Sequence, residues 1–299
     1  MKPRYQFLLK INGTILCLLI FSLGFVRQAN SQVEPFGAGY FADQYLFNPA
    51  FAGSSANLFE VSGGYREEML SVSDSPSNFY FSGSMGINGK AGLGLHIYQD
   101  RAGLLKTTRV VGTFAWHMIL GGTSKLSLGL SAGALNTKTD DVPIVGDQEE
   151  SFHENRFDAD FGAAFTNGGL TVQTALPGVA CSFNDNWENV GPDFFSSVSY
   201  RFSFFHERKV KVSVEPKISY RSLDGYDDVF DAGLNIGLFN NRIDFLGMYH
   251  TTENITVGFE LNIIKSLSLM AFYTTPAPAL KSYTDGSLEI GTSFKLGKH

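Results

Sequence analysis

Between residues 209 and 221 the chain alternates strictly. Val210, Val212, Val214, Pro216, Ile218 and Tyr220 fall on one side, with Lys209, Lys211, Ser213, Glu215, Lys217, Ser219 and Arg221 on the other. A period of two places successive side chains on opposite faces of a strand. Four more stretches repeat the pattern: Leu126 to Ala134, Phe157 to Phe165, Ile255 to Ile263 and Leu288 to Leu296. Weaker alternation fills the gaps. The spacing predicts fourteen strands, near 57–66, 77–87, 91–100, 108–120, 124–136, 155–166, 168–176, 194–206, 208–221, 228–240, 242–251, 254–264, 266–275 and 284–296. Several exceed the roughly five or six residues usual for strands of soluble proteins.

The connections carry independent information. Every second one is short, such as Asn88-Gly89-Lys90, Gly121-Gly122-Thr123, Asn167-Gly168 and Asn240-Asn241, and reads as a hairpin turn. Most of the others are long: 67–76, 101–107, 137–154, 177–193, 222–227 and 275–284, with 251–253 the exception. Short turns at one end and long loops at the other are the pattern of a transmembrane β-barrel, with the turns in the periplasm. Closure follows from solvation, because no water satisfies an open sheet edge in hydrocarbon. The fold class expected is all-β: a transmembrane antiparallel barrel of about 14 strands, apolar faces toward lipid and polar faces toward the lumen. A large soluble sandwich is the competing reading of the stripes. Tyr65, Tyr80, Tyr98, Trp116, Tyr200, Tyr220, Tyr249 and Tyr273 are the aromatic residues expected to form interfacial girdles.

Composition agrees. Charged residues make up only 17% of the chain, and Phe numbers 27. A formal charge of −6 leaves no basic field for nucleic acid. At the start, Lys2, Arg4 and Lys10 precede the apolar run Ile15 to Val26, and Ala29-Asn30-Ser31 supplies small residues for cleavage. Residues 1–31 therefore read as a signal peptide cut after Ser31. The run is shorter than the roughly 20 residues of a spanning helix. Cys17 leaves with the leader, so Cys181 is the one thiol of the mature chain. The domains expected are a signal peptide at 1–31, a periplasmic segment at 32–56 and an outer-membrane barrel at 57–299.

Chemistry is sparse. His96, His117, His153, His206, His250 and His299 form no pair at ligand spacing, so neither a metal nor a cofactor is expected. The carboxylates Asp158, Asp160, Glu215, Glu260 and Glu289 face the expected lumen, where Lys209, Lys211, Lys217, Arg201, Arg221 and Lys295 balance them. An outer-membrane lipase would need a hydroxyl, a histidine and a polar orienter converging at the lipid edge. No such trio can be assigned from spacing, and the protein is read as non-enzymatic. Asp140, Asp141, Asp147, Glu149, Glu150 and Glu154 make one expected outer loop acidic, and Asp224, Asp227 and Asp228 another.

The segment before the first strand contains Gln44-Tyr-Leu-Phe-Asn-Pro-Ala-Phe-Ala-Gly-Ser54. Pro49 bars Asn48 from helical geometry and Gly53 permits a sharp bend, so a rigid corner is expected. Phe41, Tyr45, Phe47 and Phe51 supply aromatics to tuck into the periplasmic mouth, as a plug or a docking surface. Together with Gly64-Tyr65-Arg66, GLGLHIYQDRAG at 92–103, KLSLGLSAG at 125–133 and SLEIGTSF at 287–294, this segment resembles the PorP/SprF family of type IX secretion system membrane proteins. The chain departs from that family's Arg-x-x-Trp at Met69 and ends in Gly-Lys-His rather than an aromatic residue. The resemblance implies an outer-membrane accessory barrel that supports export or surface anchoring of cargo adhesins, alongside gliding motility. Its implied partners are type IX secretion components and the C-terminal domains of cargo adhesins, with outer-membrane lipid around it. No nucleic acid is expected as a partner, and no small-molecule substrate is identified. Phe47, Asn48, Pro49, Phe51 and Gly53 are the candidate partner-binding residues. A porin-like channel for small solutes is the alternative on the same barrel.

Overall fold

The computed structural model describes residue 39 and residues 43–139, 153–180, 194–206, 210–222 and 227–297. The expected signal peptide, Cys181, Phe41, Lys209, His299, Asp224 and the acidic run from Asp140 to Glu150 lie outside these residues.

One antiparallel sheet makes up the molecule. Its first strands are β1 (Leu58–Glu67), β2 (Ser77–Ile87), β3 (Ala91–Ala102), β4 (Leu105–Gly121) and β5 (Ser124–Thr139). They are followed by β6 (His153–Asn167), β7 (Leu170–Leu176), β8 (Phe194–Tyr200), β9 (Phe202–His206) and β10 (Val210–Ser222). The last are β11 (Val229–Leu238), β12 (Ile243–His250), β13 (Ile255–Ile264), β14 (Leu267–Thr274) and β15 (Ser287–Gly297). β8 and β9 are two halves of one stave, because both pair with β10 in a continuous register running from Ser199 opposite Lys217 to Phe202 opposite Val214. The staves therefore number fourteen. Each pairs with its neighbour in sequence, and β1 pairs with β15 from Leu58 opposite Gly297 to Glu67 opposite Leu288, which closes the cylinder.

Burial is inverted relative to a soluble protein. On β10, Ser213, Glu215, Lys217, Ser219 and Arg221 are buried while Ile218 is 64% exposed. Phe114, Trp116, Leu130, Phe157 and Ile290 stand outward on other staves in the same way. Polar side chains thus fill the interior and apolar ones clothe the outside, as a lipid-facing barrel requires. Among the described residues no helix is long and apolar enough to cross a membrane.

Two expectations are corrected. Tyr80 and Tyr98 point into the lumen, at 6% and 9% exposure, and do not join the girdle. Tyr65, Trp116, Tyr200 and Tyr249 do face outward. The stretch 101–107, expected as a long outer loop, is mostly ladder. Arg101 pairs with Lys106 and Ala102 with Leu105 across a turn at Gly103, whose φ of +60° suits a two-residue hairpin. β4 accordingly runs to 17 residues, beyond the roughly 9–11 that cross a bilayer, and its excess projects at the outer end.

Candidate functional site

The segment preceding β1 occupies the lumen. It is built from two single 3-10 turns, Gln44–Leu46 and Pro49–Phe51, each opened by the same capping chemistry. Asp43 Oδ1 accepts from the Tyr45 amide and Asn48 Oδ1 from the Ala50 amide, both at 3.0 Å. Asn48 is extended, with φ −135° and ψ 110°, the conformation its following proline enforces. Gly53 then turns the chain at φ +58° against the Met85 carbonyl.

Several polar groups of this plug have a receptor on the wall. Asp43 Oδ2 accepts from Ser62 and, at 2.7 Å, from Ser82. The Tyr45 hydroxyl donates to Thr113 Oγ1 at 2.8 Å, and burial pushes that phenol well above its ordinary pKa, so it stays a donor. Asn48 is fully buried, and its Nδ2 lies within 3.2 Å of the Ala163 carbonyl, the Thr174 carbonyl and Gln173 Oε1. His117 bridges Ser127 Oγ at 2.8 Å and the Ala52 carbonyl at 3.1 Å, which fixes its Nε2 as the protonated nitrogen. Lys125 Nζ donates to the Ser54 carbonyl.

The wall is recessed to receive the plug. A Cβ at Gly162 would stand 2.0 Å from Asn48 Oδ1, and one at Gly129 would stand 2.2 Å from the Pro49 carbonyl carbon. These two glycines face each other across β5 and β6. Gly92 and Gly86 are filled likewise by the backbone oxygens of Ala52 and Ser55, at 1.9 and 2.0 Å from the built Cβ. Four strands therefore give up side chains along one track so that backbone can pass.

Deeper in the lumen the plug meets apolar residues. Phe47 packs on Phe195, ring centroids 5.8 Å apart, and on Ala175 and Met248, so it reaches from β7 and β8 across to β12. Leu246, Met270 and Phe272 form a second apolar cluster on β12 and β14. Phe47, Asn48, Pro49 and Gly53 are buried, and Phe51 is half-buried. All five candidate partner-binding residues thus rest against the barrel's own inner wall.

Charged networks brace the remaining interior. Arg109 joins Asp158 and, at 2.6 Å, Asp160, whose Oδ1 also accepts from the Gly178 amide at 2.9 Å. Glu215 meets Arg201 at 2.6 Å, and Lys295 meets Glu60 at 2.7 Å. A polar vestibule of about 560 Å³ lies at the turn end, between Asp43, Ser54 and Ser55 of the plug and a wall that includes Arg201, Glu215 and Lys295. Near the opposite end, Asp231 accepts from two Arg221 nitrogens, Nη2 at 3.0 Å and Nε at 3.1 Å. It also binds His250 Nδ1 at 2.6 Å, and His250 Nε2 meets Thr256 Oγ1 at 2.8 Å. A hydroxyl, an imidazole and a carboxylate do converge here, but inside the lumen and not at the lipid edge. Thr256 is 2% exposed and shares a hydrogen bond with Thr274, so the arrangement serves as a wall brace. Among the described residues no group of three or more His, Cys, Asp or Glu side chains is placed to hold a metal.

Arg109, Asp43 and His117 are the important residues that pattern reading missed. Arg109 lies two strands from its carboxylates, and no local spacing announces that pairing.

A closed barrel with an apolar outer coat, whose lumen holds the segment preceding its first strand, is a barrel of the outer-membrane class. The family model for type IX secretion system membrane protein PorP/SprF matches residues 29–294, and the chain belongs to that family. Comparison with functionally curated proteins yields no match. Among solved structures, the chain is similar to the toluene transporter TbuX of Ralstonia pickettii (12% identity, 88% of this chain and 94% of that one, TM-score 0.48). It is also similar to the monoaromatic hydrocarbon channel CymD (10% identity, 90% and 95% covered, TM-score 0.49). A third is the outer membrane protein Omp33 of Acinetobacter baumannii (8% identity, 82% and 100% covered, TM-score 0.47).

Proposed function

We propose that this type IX secretion-associated barrel acts as a non-enzymatic accessory, supporting export or surface anchoring of cargo adhesins rather than passing solutes. The observation that supports this reading is the seated plug. Its backbone fills the glycine track, and Phe47 clusters with Ala175, Phe195 and Met248 of the wall. A diffusion channel needs a wetted path through the barrel, whereas beyond the vestibule the plug and its wall contacts take up part of this interior. What such a barrel offers is two sculpted ends: the vestibule and plug face toward the periplasm, and long loops toward the cell surface. In this reading the periplasmic end meets other secretion components, and the outer end meets the C-terminal domains of cargo. A link to gliding motility belongs to the same proposal.

The test is genetic and electrical. Chains lacking residues 32–56, or carrying Phe47→Ala with Asn48→Ala, are returned to a strain deleted for the gene. Barrel assembly is read by heat-modifiable mobility, and cargo adhesin is measured on cells and in the medium. The proposal expects assembled barrel with lost cargo display for the double variant, and wild-type protein silent in planar bilayers. Full cargo display with an assembled, plug-less barrel would overturn it, and steady conductance of the wild type would favour the solute channel.

A further inference from the structure

We propose that the polar vestibule at the turn end binds an extended polypeptide segment bearing carboxylates, with Arg201 and Lys211 as its principal anchors. This rests on the reading above that the periplasmic end meets other secretion components, and it names the chemistry of the segment received. The plug closes one side of this cavity of about 560 Å³, the inner faces of the staves close the other, and Gly168 and Gly169 of the β6–β7 turn border it.

The acceptors around the vestibule are largely spent. Asp43 Oδ1 takes the Tyr45 amide, and its Oδ2 takes the hydroxyls of Ser62 and Ser82. Glu215 lies opposite Arg201 in the ladder register and accepts from its Nε at 2.7 Å and its Nη2 at 2.6 Å. Glu60 accepts from its cross-strand partner Lys295 at 2.7 Å. The donors are not spent. The Arg201 side chain is 48% exposed while that of Glu215 is 6% exposed, and Glu215 engages only two of the five N–H groups a guanidinium carries. Lys211 lies opposite Phe205, and among the described residues no carboxylate is within ion-pair distance of its ammonium. Unspent charged donors beside satisfied acceptors select an anionic ligand.

Spacing selects the kind of anion. Lys211 and Glu215, the residue facing Arg201, both lie on β10 and stand about 13 Å apart along the strand at ~3.3 Å per residue. Lys211 is the nearer of the two to the start of β10 at Val210, so a segment entering past the turns meets it before Arg201. A chain with several carboxylates engages both cations at once, and the second contact then forms at high effective concentration. A small anion with one charged group gains nothing from the pair.

The protein purified from outer membranes and held in nanodiscs is titrated with a fluorescein-labelled hexaglutamate peptide, read by anisotropy. Hexaglutamine and hexalysine serve as comparison peptides, and unlabelled hexaglutamate, acetate and inorganic phosphate as competitors at matched ionic strength. Hexaglutamate should bind at least about tenfold tighter than hexaglutamine, as one charge-assisted contact supplies. Added salt should weaken that binding. Lys211→Gln, which orphans no carboxylate, should weaken it about three- to tenfold and Lys211→Glu further. Lys90→Gln, exposed in the β2–β3 turn, should leave it unchanged, with heat-modifiable mobility confirming assembly of each variant. Equal binding of hexaglutamate and hexaglutamine, or equal losses in Lys90→Gln and Lys211→Gln, would overturn the proposal. So would phosphate displacing the probe as well as unlabelled hexaglutamate does. Because the measurement uses purified protein, its failure leaves the cargo-display test of the accessory role standing, and failure of that test leaves this one standing.

Discussion

Asn48 Oδ1 occupies the space that a side chain on Gly162 would fill, 2.0 Å from the position of its Cβ. The atom cannot retreat. It accepts from the Ala50 amide, while Nδ2 of the same side chain faces two strand carbonyls and Gln173. The plug's position is therefore set by what β6 leaves out as much as by what the plug contains.

Gly162→Ala should expel the plug without preventing barrel closure, since Gly162 pairs within an intact ladder and its ladder groups are backbone. The expected outcome is normal heat-modifiable mobility, increased protease access to residues 43–57, and ionic conductance in planar bilayers where the wild type has none. Unchanged protease protection would show that the β5–β6 wall yields by the required distance.

Asn48→Ala removes the capping acceptor and the donor in one step. Gln173 Oε1, on a side chain 4% exposed, then loses its Asn48 donor, while Gln173 Nε2 still reaches Gln44 Oε1 at 3.5 Å. A buried polar group left without its partner costs about 1–3 kcal/mol, and loss of a cap about 1 kcal/mol. Asn48→Asp keeps the cap but places a carboxylate against the carbonyls of Ala163 and Thr174, so it should be at least as damaging. Urea titration of each variant folded into vesicles, read by protease release of the plug, measures both.

Phe47→Ala addresses the apolar bridge across the lumen. A buried Phe replaced by Ala costs about 3–5 kcal/mol when the site does not collapse, and rigid barrel walls limit collapse. Phe195 and Met248 would then face a void. The expected readouts are a lower urea midpoint for plug release and intermittent conductance. Phe47→Leu, which keeps much of the volume, should restore most of the midpoint.

Much of this architecture was legible as period-two patterning, because the outer faces of the staves are apolar and most inner positions are polar. Strand 77–87 matches β2 to the residue, and the stave 194–206 is a single register although one residue interrupts its ladder. Hairpin chemistry can hide in an apparent loop, as Gly103 shows. Tyr80 and Tyr98 were misplaced because residue type was weighed above parity. Tyr80 shares its face with Asn78, Ser82 and Ser84, which are buried, so its parity alone assigns it to the lumen. The corner at Asn48-Pro49 and the bend at Gly53 followed from backbone restriction. The glycine track did not, because a glycine's silence does not name the neighbour that fills its space. Arg109 and its carboxylates, two strands apart, needed the register of β4, β5 and β6.

The network around Asp231 gives the sharpest energetic test. Arg221 is 6% exposed, and Asp231, itself 2% exposed, binds two of its nitrogens and His250. Asp231→Ala leaves the guanidinium buried without its counter-charge, a change that costs about 3–5 kcal/mol. The double variant Asp231→Leu with Arg221→Met removes both charges and replaces them with apolar volume, which is often neutral or stabilising. His250 and Thr256 would keep their mutual hydrogen bond in that background. Urea midpoints in vesicles should therefore order as wild type close to the double variant, and Asp231→Ala well below both. Ser219 Oγ also donates to Asp231 Oδ2 at 3.1 Å, so a double variant as unstable as Asp231→Ala would mean that the carboxylate's bonds to His250 and Ser219, and not charge neutralisation, hold this end of the barrel together.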